Sequence, residues 1–151
     1  MVALALGVYA ADRITKRWAE ASLVAGDAVP VIGGLLSWSL HYNPGAAFSM
    51  GTRFTIGLSL LAVLVLVGLV FVAAPRVRSW LAALAVGALL AGVAGNLTDR
   101  LFGAPGPLRG HVVDFIAVRG FAIFNVADMA ITGAAVLMIL WSLRQPGGAG
   151  R

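Results

Sequence analysis

At 151 residues, 60% of them apolar and 11% charged, with a mean hydropathy of +0.95, the chain lies far from soluble domains, which carry about 25% charged residues. Its net charge of +5 does not point to nucleic acid, because the 11 Arg and Lys residues are scattered between apolar runs and not gathered on one face. No cysteine is present and there are 2 histidines, His41 and His111, which excludes disulfides, a thiolate nucleophile and Cys- or His-cluster metal sites. An all-α integral membrane protein of one unit, residues 1–151, is therefore expected, with no cofactor or metal, its chemistry limited to carboxylates, hydroxyls and lysine.

The amino end is apolar up to Asp12, Arg13, Lys16 and Arg17. Eleven residues of helix reach only about 16 Å, so a spanning first helix must continue to about residue 21, with Asp12 and Lys16 one turn apart and able to pair. A cleaved signal peptide is disfavoured, since its positive charge precedes the apolar run and here it follows. Residues 22–53 change to Gly and Pro punctuation with short alternating runs such as LLSWSLHY, which predicts a small antiparallel sheet outside the hydrocarbon. Uncharged windows then predict helices over roughly 54–74 and 79–98, each long enough for the ~30 Å hydrocarbon core, joined by the turn APRVRS. A Gly- and Pro-rich connection, 101–120, leads to a fourth helix over 121–143 and a frayed tail. Four spans put both termini on one side. The Arg and Lys residues do not choose which side, and no internal repeat suggests an inverted-repeat transporter.

The polar groups gather at one end of these helices. In GNLTDR, Asn96 shares a face with Asp99 and with Arg100; in FNVADMAIT, Asn125, Asp128 and Thr132 line one stripe. Asp114, in HVVDFI, has no neutralising neighbour in sequence. Asp128 is the only charged side chain between Arg119 and Arg144, and a mid-span aspartate costs roughly 2.5–3.5 kcal/mol. Asn96 and Asn125 serve equally well as helix-to-helix glue, and Asp99 with Arg100 as an interfacial ion pair. If Asp128 faces a second carboxylate, Asp114 or Asp99, at about 4 Å, the two repel by roughly 4 kcal/mol, so one holds a proton while the other stays ionised. That is the division of labour of an aspartic protease. The rival class is a small ion or proton channel or carrier built on Asp128, but the far halves of the helices are uniformly Leu, Val, Ala and Gly, with no path to the other side.

The blocks DRITK (12–16), NPGAAF (43–48), GNLTDR (95–100), HVVDFI (111–116) and FNVAD (124–128) run through the chain in order. In that set the chain resembles lipoprotein signal peptidase, also called signal peptidase II, the bacterial aspartyl protease of lipoprotein processing. The resemblance implies Asp114 and Asp128 as the catalytic pair. It gives Asn43, Gly45, Asn96, Asp99, Arg100 and Asn125 supporting roles around the substrate, with Asp12 and Lys16 bracing the first helix. It implies diacylglyceryl-modified prolipoproteins as substrates, cut before the lipid-modified cysteine, with inhibition by globomycin-like cyclic peptides. A monomer in contact with membrane lipid is expected, in the bacterial plasma membrane, its sheet and site at the extracytoplasmic face. The link from Asp114 to Asp128 is shorter than is usual in that family, which implies a trimmed flap.

Overall fold

The computed structural model describes residues 1–45 and 51–144. A Leu- and Ala-rich segment without proline forms α1, Val2–Ser22, which ends where Leu23 turns extended, its N–H still held by the Ala19 carbonyl at 2.9 Å. Two short strands follow, β1 over Val29–Ile32 and β2 over Leu36–Asn43. Between them Gly33 and Gly34 take φ of +46° and +78°, the left-handed pair that a tight hairpin needs.

α2 runs over Gly51–Gly68 and continues as a π turn, Leu69–Ala73, and a 3₁₀ turn, Ala74–Arg76. The Ser79 hydroxyl caps α3, Trp80–Phe102, by accepting from Ala82 N at 3.2 Å. The chain returns as β3, Val112–Val118, and β4, Ile123–Phe124, before α4, Val126–Arg144. Among the described residues, Phe54–Arg76, Trp80–Phe102 and Val126–Leu143 are long and apolar enough to cross a membrane, which makes this a multi-pass membrane protein. α1 has 21 residues, about 31 Å, but carries five charged side chains between Asp12 and Glu20.

The four strands form one antiparallel sheet in the order β1-β2-β3-β4. The sheet is thus not confined to residues 22–53: the connection expected to be a loop, 101–120, supplies β3, and the first residues assigned to the fourth helix supply β4. HVVDFIAV is a buried strand with apolar residues on both faces, so alternation gives no signal there. α3 is longer than expected by a turn, because LTDRLF continues the helix until the Gly103 N–H closes on Asp99 O at 2.7 Å.

α3 is the central helix, packed against α1, α2 and α4. A Cβ at Gly92 would lie 2.5 Å from Ala127 O, and one at Gly95 would lie 2.6 Å from Asp12 Oδ2. The two glycines, one turn apart, therefore let α4 and α1 come close on neighbouring faces. The sheet lies across α1, with Leu40, Val113 and Phe115 buried against Ala19. Trp18 stands edge-on to Trp38, ring centroids 5.6 Å apart, and to Phe115 at 6.1 Å. This packing fixes the height of β3 over the ends of α3 and α4.

Candidate active site

Asp128 does not sit in the middle of a span. It lies in the first turn of α4, where Asn125 precedes the helix. The Asp128 N–H donates to Asn125 Oδ1 at 2.9 Å, and Asp128 Oδ2 accepts from the Asn125 N–H at 3.3 Å. This reciprocal pair is a capping box, and the positive end of α4 adds to the support of a carboxylate there. The expected desolvation cost is met by the helix terminus itself.

Asp114 projects from β3, only 3% exposed. A register shift between Trp38 and His41 aligns His41 with Asp114 and Asn43 with Val112, so that Asn43 reaches Asp114. Asn43 Nδ2 donates to Asp114 Oδ2 at 2.9 Å, and Asn125 Nδ2 donates to Asp114 Oδ1 at 2.6 Å. Burial pushes the Asp114 carboxyl up to about 6; the hydrogen bond from Asn43 opposes this, the charge of Asp128 adds to it, and the bond from Asn125 opposes it again.

Three asparagines surround the two carboxylates, and each amide is oriented by what its oxygen accepts. Asn43 Oδ1 takes the Gly45 N–H at 2.8 Å, and Asn125 Oδ1 takes the Asp128 N–H. Asn96 Oδ1 takes the Lys16 ammonium at 2.9 Å, which turns its Nδ2 toward Asp128 Oδ1 at 2.8 Å. A lysine ammonium has donors only, so the oxygen of Asn96 must face it. All three NH₂ groups are thereby aimed at Asp114 or Asp128.

Beneath this layer is a buried ion cluster. Lys16, fully buried, meets Asp99 Oδ2 at 2.7 Å and Asp12 Oδ2 at 3.0 Å, the latter as an ion-pair contact rather than an aligned hydrogen bond. Arg13 pairs with Asp99, and Asp99 Oδ2 also accepts from Val113 N at 3.3 Å. Asp12 Oδ1 accepts the Ala127 N–H at 3.0 Å, so an aspartate of α1 satisfies another free donor at the start of α4. Asp99 does not pair with Arg100, as the sequence reading allowed; its partners are Lys16 and Arg13. The Arg100 guanidinium instead donates to Pro44 O at 3.4 Å, and its charge acts on Asp114, Asp99 and Asp128.

Gly45 has φ +89°, and a Cβ there would lie 3.0 Å from Arg100 Nη2, so glycine permits this close approach. Ala46, Ala47 and Phe48 of NPGAAF lie outside the described residues, as does the tail after Arg144. Sequence reasoning gave no task to Arg13, Thr55 or Ser59. Thr55 donates to Pro44 O at 2.6 Å and Ser59 to Leu108 O at 2.8 Å, both hydroxyl groups buried. Their spacing of four on an otherwise apolar helix was the available signal. The short link after Asp114 forms the β3–β4 hairpin.

The family model described as Signal peptidase (SPase) II matches residues 4–144. The chain belongs to the signal peptidase II family. It is 45% identical over 143 residues to the lipoprotein signal peptidase of Mycobacterium avium (strain 104), covering 95% of this chain and 78% of that one. The corresponding protein of Mycobacterium tuberculosis (strain ATCC 25618 / H37Rv) is 44% identical over 143 residues, 95% of this chain and 70% of the relative. A solved bacterial membrane enzyme, determined by the in meso method at 1.9 Å resolution, superposes with a TM-score of 0.82 at 29% identity, over 96% of this chain and 93% of its own. This signal peptidase II relative is an aspartic peptidase by family, and the site offers its carboxylates at one end of the bundle.

Proposed function

We propose that the chain removes signal peptides from diacylglyceryl-modified prolipoproteins, cutting before the lipid-modified cysteine, with Asp114 and Asp128 as its catalytic pair. The observation that carries this reading is Asn125: one buried side chain donates to Asp114 and accepts from the backbone of Asp128, which ties the two carboxyl groups to one another. The pair works with one proton between them, a proton that belongs to both. The ionised carboxylate takes a proton from water, whose oxygen attacks the scissile carbonyl carbon. The protonated carboxyl donates to the carbonyl oxygen, and as the tetrahedral intermediate collapses a proton passes to the leaving amine.

Asn43, Gly45 and Arg100 border the substrate strand. Asn96, Asp99, Asp12 and Lys16 hold the pair from below. The family match displaces the ion-channel reading. In the proposed placement all four long helices span the bacterial plasma membrane, the sheet lies on its extracytoplasmic face, and both termini are cytoplasmic. The enzyme acts as a monomer and is blocked by globomycin-like peptides.

The test is a gel-shift cleavage assay on a diacylglyceryl-modified prolipoprotein in detergent, with EDTA present throughout, comparing wild type with Asp114→Asn, Asp128→Asn and Asp99→Asn. The first two variants are expected to be folded and inactive, while Asp99→Asn keeps measurable turnover. Normal cleavage by Asp114→Asn would show that the pair is wrongly assigned.

A further inference from the structure

The end of the bundle away from the carboxylates holds a second feature. A cavity of about 430 Å³ lies between the 3₁₀ turn after α2, the start of α3 and the last turns of α4, bordered by Arg76, Arg78, Ser79, Ala82, Met138 and Trp141. Ser79 is 17 residues before Asn96 on α3, which puts the cavity about 25 Å from the site along the helix axis. It opens where the π turn and 3₁₀ turn replace regular α-helix at Leu69–Arg76.

Among the described residues no acidic side chain balances its charge. The six acidic residues are Asp12, Glu20, Asp27, Asp99, Asp114 and Asp128, all in or beside the sheet end. None lies between residues 28 and 98, and none follows 128. Arg76 spends one N–H on Val72 O at 2.6 Å, and Arg78 makes no ion pair among the described residues. Both are exposed. Two guanidinium groups two residues apart in sequence, an apolar wall of Ala82 and Met138, and the Trp141 indole form a site with a cationic rim and a greasy floor. A free phosphate fits the rim but leaves the floor uncovered. A lipid satisfies both.

We propose that this cavity retains one anionic phospholipid, its phosphate between Arg76 and Arg78 and an acyl chain along Ala82, Met138 and Trp141. Two arginines at a lipid headgroup correspond to roughly 30-fold selectivity for an anionic over a zwitterionic lipid. The experiment is native mass spectrometry of the detergent-purified full chain titrated with phosphatidylglycerol or with phosphatidylcholine of the same acyl chains. It is repeated with excess inorganic phosphate, and with the Arg76→Gln/Arg78→Gln and Arg119→Gln variants. Wild type and Arg119→Gln are expected to hold one phosphatidylglycerol in strong preference to phosphatidylcholine, and inorganic phosphate leaves it in place. The double variant is expected to lose the preference while cleaving prolipoprotein at the wild-type rate in detergent, which certifies its fold. Equal retention of the two lipids by wild type overturns the proposal without recourse to any variant. Displacement by inorganic phosphate would make this a free-anion site, and unchanged retention by the double variant would place the lipid elsewhere; either outcome also overturns it.

Discussion

Replacing Lys16 by Met tests how the buried ion cluster reaches the proposed catalytic pair. The ammonium has Asp99 Oδ2 at 2.7 Å, Asn96 Oδ1 at 2.9 Å and Asp12 Oδ2 at 3.0 Å around it, in a fully buried position. Methionine keeps much of the volume and removes every donor. Breaking a buried ion pair from one side costs about 3–5 kcal/mol, a large share of a stability of ~5–15 kcal/mol. Arg13 still neutralises Asp99, and Ala127 N still holds Asp12, which puts the expected loss at the lower end, about 3 kcal/mol. The effect on rate has a separate origin. Once Asn96 Oδ1 has no donor, its amide is free to turn its oxygen toward Asp128, and a charge-assisted hydrogen bond of about 1.5–3 kcal/mol disappears. That is a fall of roughly 10- to 100-fold in kcat, with KM little changed, since Asn96 reaches substrate only through Asp128. The assay is steady-state cleavage in detergent on material that elutes as folded protein, for Lys16→Met, Asn96→Leu and the double variant. If Lys16 acts through Asn96, the double variant is no slower than Asn96→Leu. A folded Lys16→Met with wild-type kcat, or two losses that multiply, would refute the relay.

Three further outcomes follow from the geometry. Asp114 has a folded-state value of about 6, above its ordinary 3.8, so the folded chain binds its proton more tightly than the unfolded one. The contribution of Asp114 to stability is then fully present below about pH 4 and is lost, by about 3 kcal/mol, as pH rises through 6; chemical denaturation across this range should show in wild type a component of the slope that Asp114→Asn lacks. Asn43→Ala deletes the bond that favours ionised Asp114, and the acid limb of kcat/KM against pH should move up by about one pH unit. Gly95→Ala puts a methyl 2.6 Å from Asp12 Oδ2; a loss of about 1–3 kcal/mol in the thermal unfolding of the purified protein is expected, with slower cleavage, because Asp12 also caps α4.

Much of the site was legible before the fold. Asp12 and Lys16 at helical spacing, and the uncharged windows of α2 and α3, follow from periodicity alone. The position of Asp128 was legible in part: the polar groups gather at one end of the helices, but the 25 residues from Arg119 onward are nearly uncharged, and only the Asn125 cap shows that the helix begins there and puts Asp128 in its first turn. β3 was hidden for a related reason: burial on both faces removes the alternation by which a strand is recognised. The pairing of Asp99 with Lys16 and Arg13 crosses more than 80 residues of chain, and local spacing carries no information about it.

Charge balance supplies a reason for the protonation state the proposed chemistry needs. Around the carboxylates, Asp12 and Asp99 are matched by Arg13 and Lys16. Arg100 is left with the pair Asp114 and Asp128. With one proton on the pair the whole group is neutral; with none it carries an excess negative charge, and with two an excess positive one. In apolar surroundings the neutral arrangement is favoured, and it is the one in which a base and an acid coexist. Arg100→Gln removes the cation that keeps the second proton away. The Arg100 charge acts on both carboxylates, and a nearby unit charge at an effective dielectric near 20 is worth on the order of one pH unit of proton affinity. The acid limb of kcat/KM should therefore move to higher pH in Arg100→Gln, with activity partly recovered in alkaline buffer. A uniform loss at every pH would mean that Arg100 serves only to hold Pro44 and the substrate strand, and that the balance of charge around the pair is set by other groups.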